Sequence, residues 1–176
     1  MAKERFDKII ANQFNISRKD ARLAIRRGKA TVDGKAVRDP SLAVDTSSEI
    51  TYLGQTMEYK KYVYIMMNKP KGVVSATNDN KDLTVVDILP EELKRKNLFP
   101  AGRLDKDTTG FVLITDDGDF AHKILSPKNH IFKTYLATLE HSLSQSDIDM
   151  LEKGITLADG TTLKEAKVEI KEDGNN

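Results

Sequence analysis

No apolar stretch in this sequence is long. The two most apolar runs, residues 63–67 and 111–114, span five and four positions, far short of the roughly 20 that a membrane-crossing helix needs. Turn formers bound both: Lys69-Pro70-Lys71-Gly72 follows the first, and Asp116-Asp117-Gly118 follows the second. Short apolar runs between such clusters read as buried strands. The 176 residues suffice for one mid-sized domain, or for a small domain joined to a larger one. There is no cysteine, which removes disulfides, thiolate metal sites and cysteine nucleophiles together. Met1-Ala2-Lys3-Glu4-Arg5 has no apolar core behind it, so a cytoplasmic chain without a secretory signal is expected.

The 28 basic and 27 acidic residues nearly cancel, leaving a net charge of +1, but they are unevenly spread. Residues 1–38 hold eleven Lys and Arg against four Asp and Glu, whereas residues 39–59 hold four acidic residues and no basic one. A basic arm on an otherwise neutral chain is the electrostatic footprint of a nucleic-acid binder; a solvated helix face is the plainer alternative. Phe6, Ile9, Ile10 and Phe14 recur at helical spacing and predict an amphipathic helix over 3–13. Ser17 with Asp20 is a capping-box pattern that opens a second helix, and Gly28 suits its C′ position. On that helix Ala21, Ala24, Ile25 and Gly28 share one face. Arg18, Lys19, Arg22 and Arg26 share the other, with Arg27 and Lys29 beside it and Leu23 as an apolar exception. Residues 31–37 then read as a tight hairpin turned by Asp33-Gly34. Guanidinium forks match phosphate oxygens in pairs, so the stripe suits a backbone reader more than a base reader.

The polar Met57-Glu58-Tyr59-Lys60-Lys61 precedes the strand expected over 62–67 and puts a domain boundary near residue 60. Beyond it, His122, His130 and His141 lack helical i+4 partners, so no zinc site is expected. The sequence has no Walker loop, no Gly-x-Gly-x-x-Gly and no Gly-x-Ser-x-Gly, and neither metal nor cofactor is expected. What remains is concentrated in residues 99–110, where turn-prone and charged positions run straight into the apolar strand expected over 111–114, with a short helix expected over 119–125. A charged loop anchored on a rigid strand is a common way to hold a reactive group; an ordinary surface loop is the alternative. Two further clusters are residues 64–76, around Asn68-Lys69-Pro70, and Lys133-Thr134-Tyr135-Leu136-Ala137, an alternating strand pattern.

Arg5-Phe6-Asp7, Ser17-Arg18, Ala21, Ile25, Gly28, Thr31-Val32-Asp33-Gly34, Asp39-Pro40 and Glu49-Ile50 together resemble the S4 RNA-binding domain. Asn68-Lys69-Pro70, Gly102-Arg103-Leu104-Asp105 with Thr109-Gly110, and Lys133-Thr134-Tyr135 resemble, in order and spacing, three motifs of the pseudouridine synthases that act on ribosomal RNA. Residues 68–77 and Leu125-Ser126-Pro127 look most like the small-subunit (16S) branch, the RsuA type. The resemblance implies an α+β chain: an S4 module over 1–59, then a catalytic domain over 60–176 on a mixed, mainly antiparallel sheet, with Asp105 in a central cleft. It implies that Asp105 is the catalytic carboxylate, that Arg103 fills the space of the flipped base and that Tyr135 packs on the uracil. The implied partner is 16S rRNA or a partly assembled small subunit, met by a monomer away from membranes. A further motif, whose basic residue pairs with the catalytic aspartate, has no match here. Residues 166–171 alternate as a half-buried strand and Asp173-Gly174 is a turn signal two residues before the end. The expectation is an unclosed hairpin and little or no activity from these residues alone. The competing reading is a non-catalytic S4-type RNA-binding or ribosome-assembly factor.

Overall fold

A computed structural model describes residues 3–129 and 131–171. The chain forms two compact units, Met1–Ile131 and Phe132–Asn176.

In the first unit, β1 (Lys3–Arg5) leads directly into α1 (Phe6–Gln13), followed by α2 (Arg18–Arg26). The helix expected over 3–13 thus gives up its first turn to a strand. Residues 3–5 pair antiparallel with β4 (Ala43–Asp45), in a register that sets Lys3 opposite Asp45, an opposite-charge pair that a helix would forgo. The start of α2 keeps half of the expected capping box. Ser17 Oγ accepts from the Asp20 N–H at 3.0 Å, while the Asp20 carboxylate accepts from the Ser17 hydroxyl at 2.5 Å and not from the Ser17 N–H. Between β2 (Ala30–Val32) and β3 (Lys35–Ala36), Asp33 and Gly34 have φ of 48° and 73°. Both values are those of a two-residue hairpin turn of the I′ kind. With β5 (Ile50–Tyr52) and β6 (Gln55–Met57), these strands form a sheet of order β3-β2-β5-β6. Phe6, Ile9, Ile10, Ile25 and Ile50 are fully buried between the two helices and this sheet, each worth about 1.5–3 kcal/mol.

A second core follows. β7 (Tyr64–Lys69), β8 (Phe99–Pro100) and β9 (Gly110–Thr115) form an antiparallel sheet of order β7-β9-β8. Its buried side packs Val112 and Ile114 with Val73, Val85, Leu89 and Leu98. Its other side leaves Tyr64, Met66 and Phe111 exposed. The sheets are antiparallel throughout, and the single parallel feature among the described residues is the bridge Val74–Thr84. α3 (Gly118–Leu125) is capped by Asp117, whose carboxylate accepts from the Phe120 N–H. Among the described residues, no helix is long and apolar enough to cross a membrane.

The segment that joins the two cores is held from both sides. Gln13 and the backbone of Lys60 exchange two hydrogen bonds, of 2.8 and 3.2 Å. The Tyr59 hydroxyl donates to Glu4, and the Lys96 ammonium to the Ile16 carbonyl. Arg95 donates to the carbonyls of Lys60 and Lys61 while its Nε pairs with Asp116 at 3.0 Å, both side chains being 10% exposed. The other Asp116 oxygen accepts from the Val63 N–H.

In the second unit, α4 (Gln145–Lys153) begins with a full Ser144/Asp147 capping box. The strands expected over 133–137 and 166–171 are not formed; both stretches are irregular and almost wholly exposed. A strand needs a neighbouring strand for its N–H and C=O groups, and among the described residues no strand pairs with either stretch; the Ala166 N–H meets only the Leu151 carbonyl of α4. Asp173 and Gly174 lie outside the described residues.

Candidate active site and RNA-binding face

Asp105 stands at the head of a β-turn closed by the Thr108 N–H on its carbonyl, at 3.1 Å. Its side chain is exposed and makes no hydrogen bond or ion pair among the described residues, and the same is true of Arg103. The cleft expected around Asp105 is therefore not visible in this unit. What the unit does provide is a rigid seat. The Leu104 side chain packs on the second core, while its N–H and C=O are both taken by the buried Ser75 hydroxyl, at 3.0 and 2.8 Å. The Lys106 carbonyl accepts from the Gly72 N–H at 2.9 Å. The Lys106 ammonium reaches Asp82 at 2.6 Å, and that bond raises its pKa.

Lys69 completes the seat. At the end of β7 its side chain is fully buried. Its ammonium donates to the carbonyls of Pro70, Lys106 and Thr108 at 3.0, 3.1 and 2.7 Å. Three donors meet three acceptors, so the buried charge is solvated by backbone dipoles. No carboxylate pairs with it among the described residues. The turn that presents Asp105 is thus gripped at 104, 106 and 108 by Ser75, Gly72 and Lys69.

Glycine is required at both ends of the loop. Gly102 and Gly110 have φ of 116° and 130°, and a Cβ on either would approach a leucine side chain, Leu125 at 3.6 Å or Leu104 at 3.9 Å. A side chain there would be strained. Asn68, Pro70 and Thr109 are exposed; of these, the Pro70 carbonyl holds the Lys69 ammonium. Tyr135 lies in the second unit, 64% exposed, on the irregular stretch described above.

The basic face is less uniform than the sequence suggested. Arg5, Arg18 and Arg22 all converge on one fully buried carboxylate, Asp7. Burial alone would push the Asp7 carboxyl up, but the bonds from Arg5, Arg22 and Arg18 more than reverse this and hold it well below the usual carboxylate range. Lys19, Arg26, Arg27 and Lys29 are exposed and make no ion pair among the described residues. Ser17 is occupied in capping α2.

Residues 63–174 match the family described as RNA pseudouridylate synthase, and residues 4–50 match the S4 domain. An uncharacterised RNA pseudouridine synthase of Bacillus subtilis is 46% identical over 168 residues, covering 95% of this chain and 70% of its own. This chain belongs to the RNA pseudouridylate synthase family. Ribosomal small subunit pseudouridine synthase A of Escherichia coli is 42% identical, covering 87% of this chain and 66% of its own. Ribosomal large subunit pseudouridine synthase B of Bacillus subtilis is 38% identical, with 90% and 65% covered. A crystal structure of a pseudouridylate synthase superposes with a TM-score of 0.56 at 35% identity, covering 96% of this chain and 73% of the other. The chain therefore spans about two thirds of the length of these curated synthases.

Three of the residues that hold the synthase loop and the basic face had no role assigned from sequence. Ser75 and Asp82 act through single side-chain bonds to distant backbone or lysine, and no local pattern encodes such bonds. Asp7 did carry a signal: an acidic residue set between Phe6 and the apolar Ile9-Ile10 of the first helix is costly to bury without cations nearby. The role of Ser75 is open to direct measurement. Ser75→Ala removes the partner of both the N–H and the C=O of Leu104, and unfolding in urea should show a loss of about 1–3 kcal/mol. Unchanged stability would mean that water replaces the hydroxyl and that the grip on Leu104 is incidental.

Proposed function

We propose that this chain isomerises a specific uridine of ribosomal RNA to pseudouridine, that the RNA is the 16S rRNA of the small subunit, and that Asp105 is the carboxylate that does so. The observation that carries this reading is the seat of Asp105. Its free, exposed carboxylate is borne on a turn whose backbone is fixed at three points, and a reactive group must be held so. The reaction breaks the bond from C1′ to N1, turns the uracil and joins C1′ to C5. The C5 proton is released, and N1 ends protonated. Nothing is oxidised or hydrolysed.

The target base must leave the helical stack. Arg103 exposes a planar cation two residues from Asp105 and is suited to stack and hydrogen-bond in the vacated space. Tyr135 would pack against the uracil. The domain organisation in this reading is an S4 module over 1–59 and a catalytic domain over 60–176. The basic face supplies sequence-independent phosphate affinity that falls with salt. The small-subunit assignment rests on the synthases of that name at 36–42% identity; the same reading takes the protein as a cytoplasmic monomer acting on rRNA or a partly assembled subunit. A non-catalytic RNA-binding factor is the second reading; retention of Asp105 and Tyr135 favours catalysis.

The test is tritium release from 16S rRNA labelled at uridine C5, with the intact protein and with both free RNA and assembled subunits as substrates. Release at one stoichiometric site is expected. No release from any of these substrates leaves only the RNA-binding factor.

A further inference from the structure

Three arginines half in water would ordinarily swing freely, and each would lose side-chain entropy on gripping a phosphate. Here they do not swing. Arg18 Nη2 and Arg22 Nε sit 2.8 Å from the two oxygens of Asp7, and Arg5 lays both Nε and Nη2 against the same carboxylate at 3.2 Å. Asp7 is fully buried in the first turn of α1, whereas the three guanidinium-bearing side chains are 46–50% exposed. The arrangement is a carboxylate hub beneath a cationic surface. Arg18 and Arg22 lie one turn apart on α2, and Arg26 continues that face another turn on. The four hydrogen bonds to Asp7 use one edge of each fork and leave the other N–H groups uncommitted among the described residues. Asp39, which is exposed and bound to Ser41, also interacts electrostatically with Arg5.

We propose that Asp7 is a positioning residue for RNA: it fixes the guanidinium groups of Arg5, Arg18 and Arg22 in the orientation that binds the phosphates of the sugar-phosphate backbone. The inference rests on the RNA-binding part of the proposed function, but not on its chemistry. It says that a negative charge strengthens the binding of a polyanion. Long-range electrostatics gives the opposite sign, since removing a carboxylate from a basic face should tighten RNA binding and steepen its salt dependence. The hub acts by pre-organisation: it orders three cations in the free protein, and it leaves them a net positive charge.

The two signs make a clean experiment. Asp7→Asn keeps the shape and removes the charge, and its affinity for transcribed 16S rRNA is measured by fluorescence anisotropy across a salt series. If Asp7 positions the arginines, affinity falls by about tenfold or more and the plot of log K against log salt becomes flatter. Unchanged or tighter binding by a folded variant overturns the proposal. Circular dichroism reports whether the variant folds. If it does not, the double variant Arg18→Lys/Arg22→Lys decides the matter, because it changes only half-exposed side chains and conserves charge. A several-fold loss supports fixed forks, and wild-type affinity overturns them. Binding is read without turnover, so a protein that binds RNA through the hub yet releases no tritium refutes the proposed reaction and leaves this inference standing.

Discussion

Asp105→Asn is expected to abolish pseudouridine formation while leaving the protein as stable as before. The two halves of that expectation come from one observation, that the Asp105 side chain is exposed and bonded to nothing among the described residues. A side chain without partners can change with an effect on stability within about 0.5 kcal/mol. The rate depends on the lost charge. A positioned acid–base group contributes about 10²–10⁴-fold, and a nucleophile contributes more. Single-turnover tritium release by the intact protein, beside a urea unfolding curve, checks both. Activity within tenfold of wild type would move the chemistry to another residue. A large stability loss would mean that Asp105 is part of the frame and not its cargo.

Lys69→Met should damage both quantities. Methionine keeps an unbranched stem of similar length, so packing is nearly conserved, but the carbonyls of Pro70, Lys106 and Thr108 lose their shared donor. Leaving an acceptor unpaired costs about 1–3 kcal/mol before relaxation, and the Lys106 carbonyl still has the Gly72 N–H. A total near 3–5 kcal/mol is expected, at the upper end for one substitution. Where the variant still folds, the turn carrying Asp105 has lost its grip at 108 and keeps only the Gly72 bond at 106. A displacement of about 1 Å in a catalytic group can cost about 10²-fold. Calorimetry and tritium release on the same preparation measure the two losses. A variant that loses stability but turns over normally would show that Ser75 and Gly72 suffice to hold the turn.

These two residues also show how far the sequence could be read. The loop that carries Asp105 stood out as a charged, turn-rich stretch running into an apolar strand, both local features, but the choice of Asp105 within it came from the family resemblance. Lys69 was recognised as part of a motif, but its burial was not legible: a lysine beside a proline in a charged turn has every local reason to face water. Its partners at 106 and 108 are brought to it by the antiparallel register in which Lys69 faces Gly110, and periodicity does not encode register. The strand expected around Tyr135 failed differently. The alternation at 133–137 is genuine, but a strand is a property of two segments, and pattern in one of them does not make the pair. On the basic face, helix geometry correctly gathered Arg18, Arg22 and Arg26 on one side. The hub beneath them required knowing that the first turn of α1 packs against α2.

The clamp of Arg95 and Asp116 on residues 60–63 has a consequence for how binding becomes turnover. A loose tether between an RNA-gripping module and a reactive loop would give the loop an effective concentration of target set by polymer statistics, falling as the tether lengthens. A tether whose carbonyls are bonded to a nearly buried guanidinium behaves instead as a ruler. On the proposed function, RNA held by the basic face would meet the loop at one distance from the grip, and uridines nearer or farther would be passed over without being read. Selectivity of that kind is written in length, not in base contacts.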